Sequence, residues 1–128
     1  MNDKACIRKE ILRKRDAIDP SVRRAKDSRI KEKIFSLPEL QQANIIFYFA
    51  SFRSEVNTIS QIKETLNLGK RVVVPKVDNK AKELRLYEIR GLSELSPGCM
   101  GIPEPDVSED RRLEINDVDI VIMPGAAF

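Results

Sequence analysis

Histidine is absent from the 128 residues, which excludes a His-based triad, a His-ligated metal and an imidazole general base within this chain. Cysteine is scarce. Cys6 and Cys99 lie far apart with no CxxC spacing, which fits reduced thiols better than a disulfide framework or a zinc site. No apolar run approaches the roughly 20 residues of a membrane span, and the opening Met1-Asn-Asp-Lys4 lacks the apolar stretch of a secretory signal. The expectation is therefore a cytoplasmic protein that does not enter a membrane. Aromatic residues make up only 5%, no glycine turn of a helix-turn-helix is evident, and the basic residues are mixed with acids. All three weigh against a nucleic-acid interface.

What is present suits one domain: 41% apolar residues can build a single core, and 34% charged residues keep its surface wet. The net charge of +3 is unevenly spread. Residues 1–33 hold twelve Lys/Arg against six Asp/Glu, whereas the rest holds eleven against fourteen. A basic end on a mildly acidic body could attract nucleic acid, an acidic protein surface or a polyanionic small molecule such as a nucleotide.

Periodicity orders the elements. Ile7, Ile11, Leu12 and Ile18 give an amphipathic helix over about Asp3 to Ile18. Asp19-Pro20 then caps and opens a second basic helix that carries Val22, Ile30, Ile34 and Leu37 up to Pro38. The unbroken apolar run Asn44–Phe49 reads as a parallel strand covered on both faces. The loop Ser51–Asn57 follows, then a helix opened by a Thr58/Gln61 capping box and ended by Gly69, then the strand Lys70–Pro75. Strand, helix, strand makes a right-handed βαβ unit. Leu84 to Ile89 reads as a strand with one exposed face, antiparallel after an Asp78-Asn79 turn. Residues 91–109 read as a long Gly/Pro/Ser loop, and Asp119–Met123 as a third buried strand. The fold class expected is α/β: a three-layer domain with a mostly parallel sheet flanked by helices, two of them basic and N-terminal.

Some residues invite a chemical reading. Lys4 and Arg8 stand one helical turn apart, where like charges disfavour the helix slightly, and a polyanion would offset that. A solvated charged face is the plainer account. Glu55 lies in the loop beyond a buried strand, where ligands of open α/β sheets bind, and could accept from the N–H groups of a heterocycle or simply face water. In Gly101-Ile-Pro-Glu-Pro105 the prolines fix φ, Gly101 permits close approach, and Met100 just before it offers a soft surface to a flat ring. Pro124-Gly125 has the look of the lip of a site.

Taken in order, Lys4-x-x-x-Arg8, Ser54-Glu-Val-x-Thr58, Gly69-Lys70 before Val74-Pro75, Gly101-Ile-Pro-Glu-Pro105 and Asp119-x-Val-Ile-x-Pro-Gly-x-Ala-Phe128 make the chain resemble the 5-formyltetrahydrofolate cyclo-ligase (methenyltetrahydrofolate synthetase) family. The resemblance runs through residues 1–128 and corresponds to the amino-terminal two thirds of a typical member. It implies an ATP- and magnesium-dependent ligase of one-carbon metabolism that converts 5-formyltetrahydrofolate to 5,10-methenyltetrahydrofolate, ADP and phosphate. The formyl oxygen takes the γ-phosphoryl group, N10 attacks the activated carbon, and phosphate leaves. Positioning and charge neutralisation dominate such a transfer, so the missing histidines are no obstacle.

By the same resemblance Lys4 and Arg8 hold ATP phosphates, Glu55 binds the folate head group, the backbone around Ala50 lies against it, and Met100 stands where members often carry an aromatic ring. Family members continue into a glycine-rich segment with further ATP contacts and an acid for magnesium. The expectation is thus a single domain, 1–128, incomplete at its C-terminus and without turnover by itself. The competing expectation is a non-catalytic basic module for nucleic acid or a protein partner.

Overall fold

The computed structural model describes residues 3–51, 56–78, 80–98 and 101–123. Two helices come first, α1 (Asp3–Asp16) and α2 (Pro20–Ser36), separated where the Asp19 side chain accepts from the Ser21 N–H at 2.9 Å and Pro20 opens the next turn. Asp3 in the first turn and Arg13, Lys14 and Arg15 in the last complement the dipole of α1. The apolar stripe expected on α1 is not buried. No residue of α1 is, and Ile7 stays 57% exposed. Arg23 of α2 ties the pair by donating to the Arg15 carbonyl at 2.8 Å, while Ile34 and Phe35 pack α2 against the core.

The short α3 (Pro38–Gln42) leads into β1 (Ile45–Tyr48), then α4 (Thr58–Asn67) and β2 (Arg71–Asp78). β1 and β2 pair in parallel, as the expected βαβ unit requires. Lys70 reaches back to cap α3, its Nζ donating to the Gln41 and Ala43 carbonyls at 2.8 and 2.7 Å. β3 (Glu83–Ile89) runs antiparallel to β2, as anticipated after the Asp78 turn.

Residues 91–109 are less irregular than their composition suggests. A 3-10 turn, Leu92–Glu94, opens a small hairpin of β4 (Leu95–Pro97) and β5 (Pro103–Pro105), and β6 (Arg112–Leu113) and β7 (Ile120–Ile122) complete the strands. The order in the main sheet is β6-β3-β2-β1-β7.

Three expectations need correction. The sheet is mixed rather than mostly parallel: β1 pairs β2 and β7 in parallel, but β2/β3 is antiparallel across a short turn, and β6 returns antiparallel to β3 after the excursion through β4 and β5. Among the described residues the strand at 120–122 stands at one end of the sheet and is not buried on both faces as expected. It pairs with β1 on one side, and Val121 and Met123 are 40% and 66% exposed. The third layer is also missing among the described residues. One face of the sheet, Ile46, Tyr48, Val72, Val74 and Ile89, is covered by Leu40 of α3 and Ile62 of α4. The other face gathers Phe47, Val73 and Leu86 with Ile45, Phe49, Leu113 and Val118, none of them from a helix.

Candidate functional site

The site is built where β1 ends. Beyond Tyr48 the chain passes through Phe49, Ala50 and Ser51, and it returns at Asn57 to start α4. Both ends of that loop are clasped. Thr58 donates its hydroxyl to the Phe49 carbonyl at 2.8 Å, and its N–H reaches the Ser51 hydroxyl at 3.2 Å. The helix cap is accordingly not the expected Thr58/Gln61 box. Asn57 does the capping by accepting from the Ser60 N–H at 3.2 Å, since the Thr58 hydroxyl is committed to the strand.

Below this clasp lies a polar thread in the core. Thr65 donates to the Gln61 carbonyl at 2.8 Å, so the Tyr48 hydroxyl, 2.9 Å from the Thr65 Oγ1, is left as the donor of that pair. Burial pushes the Tyr48 phenol above its usual value. Gln61 is fully buried, and neither its side-chain oxygen nor its nitrogen has a hydrogen-bond partner among the described residues.

Against the first turn of α4 stands the β4–β5 hairpin. Between them is an apolar hollow of about 280 Å³ lined by Ile59, Leu92, Leu95, Pro97, Gly101 and Pro103, with Ser96 beside them. It brings the residue four positions after Glu55 and the residue immediately after Met100 to the same cavity. Glu55 and Met100 themselves lie outside the described residues. A larger hollow, about 540 Å³, opens between α2 and α4, but its charged walls include the Lys31–Glu64 ion pair at 2.6 Å, and it lies away from the end of β1. A third, about 350 Å³, occupies the helix-free face beside Phe47 and Phe49. Of these three, the hollow at Ile59 is the one walled by the first turn of α4, the helix entered from the loop that leaves the carboxyl end of β1.

The other residues named from the sequence fall as follows. Ala50 is buried in the core with its side chain turned inward, so only its backbone is available to a ligand. Lys4 and Arg8 are exposed on α1, and among the described residues neither has an ion-pair or hydrogen-bond partner, whereas Arg13 and Lys14 share Glu10. Neither lines any of the three hollows above. No group of three or more His, Cys, Asp or Glu side chains that could hold a metal ion gathers among the described residues, and magnesium is assigned to no residue here.

Two residues escaped the sequence reading. Asp119 accepts from the Asn44 and Ile45 N–H groups at 2.8 and 2.9 Å, which holds its carboxyl below the ordinary value. Glu104, an acid between two prolines, is buried and accepts from the Val77 N–H at 2.9 Å. An acid set between two prolines was the available signal for Glu104.

The family model for 5-formyltetrahydrofolate cyclo-ligases matches residues 1–128. The chain belongs to the 5-formyltetrahydrofolate cyclo-ligase family. Among its relatives, the mitochondrial 5-formyltetrahydrofolate cyclo-ligase of Arabidopsis thaliana is 27% identical over 139 residues, which takes in 98% of this chain and 50% of that protein. The solved 5,10-methenyltetrahydrofolate synthetase of Aquifex aeolicus superposes with a TM-score of 0.85 at 30% identity, over 97% of this chain and 61% of that one. The Mycoplasma pneumoniae synthetase shares the fold, with a TM-score of 0.69 at 23% identity, over 96% and 64%. This cyclo-ligase family chain thus spans about half to two thirds of the relatives it matches, and no helix among its described residues is long and apolar enough to cross a membrane.

Proposed function

We propose that this chain carries the folate-facing part of an ATP-dependent 5-formyltetrahydrofolate cyclo-ligase, acting in the cytoplasm, with 5,10-methenyltetrahydrofolate, ADP and phosphate as products. The observation that carries the reading is the hollow at Ile59 and Gly101, where the segments following Glu55 and Met100 converge beyond β1 in a chain of this family. Its apolar walls suit the flat body of a folate, and a carboxylate at Glu55 would accept from the pterin N–H groups. The backbone past Tyr48 would lie against the same ring at Ala50. Lys4 and Arg8, cations without partners among the described residues, would hold the triphosphate.

In this reading the formyl oxygen accepts the γ-phosphoryl group, N10 closes on the formyl carbon, and inorganic phosphate departs with that oxygen. The protein's part is to align the two reactants and to neutralise charge. Magnesium, if used, would assist the phosphoryl group when bound. Membership of the family disfavours a nucleic-acid module.

Calorimetric titration with 5-formyltetrahydrofolate, alongside an absorbance assay for methenyltetrahydrofolate with ATP, tests the reading. Saturable folate binding is expected, and Glu55→Gln should weaken it about tenfold or more, as loss of a hydrogen bond to a charged group does. A chain that ignores folate but binds oligonucleotide with steep salt dependence would overturn it.

A further inference from the structure

The β4–β5 hairpin is poor in the bonds that usually hold a hairpin. Pro97, Pro103 and Pro105 carry no N–H, so the three residues of β5 contribute a single backbone donor, that of Glu104. Leu95, Pro97 and Pro103 line the hollow with Ser96 beside them, whereas Glu104, which pairs with Ser96, is not part of that lining and turns to the other side. On that other side runs β2.

Its pairing with β1 ends at Val73, so the Val77 N–H lies beyond the last residue at which β1 runs alongside. Val77 is 41% exposed, and its N–H donates to the Glu104 carboxylate at 2.9 Å from Oε2, while Glu104 itself is only 9% exposed. The hairpin is shaped around this bond. A Cβ at Gly98 would run into the Glu104 carboxylate, while the tip closes through Gly98 N–H to Ile102 carbonyl at 2.9 Å and Gly101 N–H to Gly98 carbonyl at 3.0 Å.

We propose that Glu104 is a positioning residue for the folate. Its bond to Val77 sets how far the hairpin stands from the sheet, and hence the width of the hollow between Ile59 and Gly101. The inference rests on the reading that this hollow receives folate. Glu104 touches no reacting atom in it; the residue acts through Pro97, Gly101 and Pro103.

The test uses the 128-residue chain with Glu104→Ala, Glu104→Gln and Gly98→Ala, read by 5-formyltetrahydrofolate titration and by amide hydrogen exchange. Glu104→Ala should weaken folate binding about tenfold, and Glu104→Gln, whose amide oxygen still accepts, should stay within about threefold of the parent. Exchange at Val77 should quicken while Val72 to Val74 keep their protection. If the Ala variant does not fold, Gly98→Ala displaces the carboxylate instead and should show the same loss.

Equal folate affinity in the parent and a folded Glu104→Ala overturns the inference and leaves the reading of the hollow standing. So does a Gln variant as weak as the Ala one, or exchange that quickens equally throughout β2. A parent chain that takes up no folate overturns the reading of the hollow, and this inference with it.

Discussion

Gln61 and Asp119 show how a single residue's surroundings decide its worth. Gln61 is sealed in the core with both amide atoms unpartnered among the described residues. A buried amide without partners costs about 1–3 kcal/mol, so Gln61→Leu should stabilise the chain and raise its melting midpoint by a few degrees. A lower midpoint in calorimetry would mean that the amide has a partner worth keeping. Asp119 is the opposite case, a carboxylate whose Oδ2 accepts from two N–H groups at the start of β1. Its folded-state carboxyl lies below the ordinary 3.8 because those backbone donors favour the charged form. The stability it contributes is therefore complete above the unfolded value and is lost as pH falls through the folded one. Melting midpoints measured below about pH 4 should fall less steeply in Asp119→Asn than in the parent. Parallel curves would remove Asp119 from the acid response. Neither behaviour was legible in the chain: Gln61 reads as half of a capping box, and Asp119 as the first residue of a strand.

At the scale of elements, α1 is the outlier. It has a helix's periodicity and well-placed terminal charges, yet none of its residues is buried. Helical stability in proteins comes mostly from packing an apolar face, so α1 persists here on its own propensity and its link to α2. If Lys4 and Arg8 hold a triphosphate, replacing either by Ala should raise the dissociation constant for ATP about tenfold or more, since hydrogen bonds to charged groups contribute about 1.5–3 kcal/mol. The same changes should leave stability within about 0.5 kcal/mol, as expected of exposed positions. ATP titration together with thermal melts separates the two, and an unchanged ATP constant returns both residues to a solvated face. α4 behaves as its sequence promised in extent but not at its start, because Thr58 is drawn to the Phe49 carbonyl and Asn57 takes over the cap.

Across the whole molecule, protection should follow the layering. β2 lies in the middle of the main sheet, with Val72, Val73 and Val74 wholly buried between β1 and β3. α1 lies at the other extreme. Native-state hydrogen exchange should find the slowest amides in β2 and the fastest among the helices in α1, and an order reversed between them would contradict the core described above. By themselves the residues determined what local rules govern: the break at Asp19-Pro20, the βαβ unit from the apolar runs around Thr58–Gly69, and the antiparallel return after Asp78. The ordered motifs also marked the family. Tertiary structure alone decided which face of the sheet the helices cover, that the strand at 120–122 pairs with β1, and that Glu104 fastens a proline-rich hairpin to Val77. These are matters of which distant segments meet. Periodicity along a chain records that a face is apolar, but the partner that covers it, or the donor left over where a neighbouring strand stops, exists only once the chain has closed on itself.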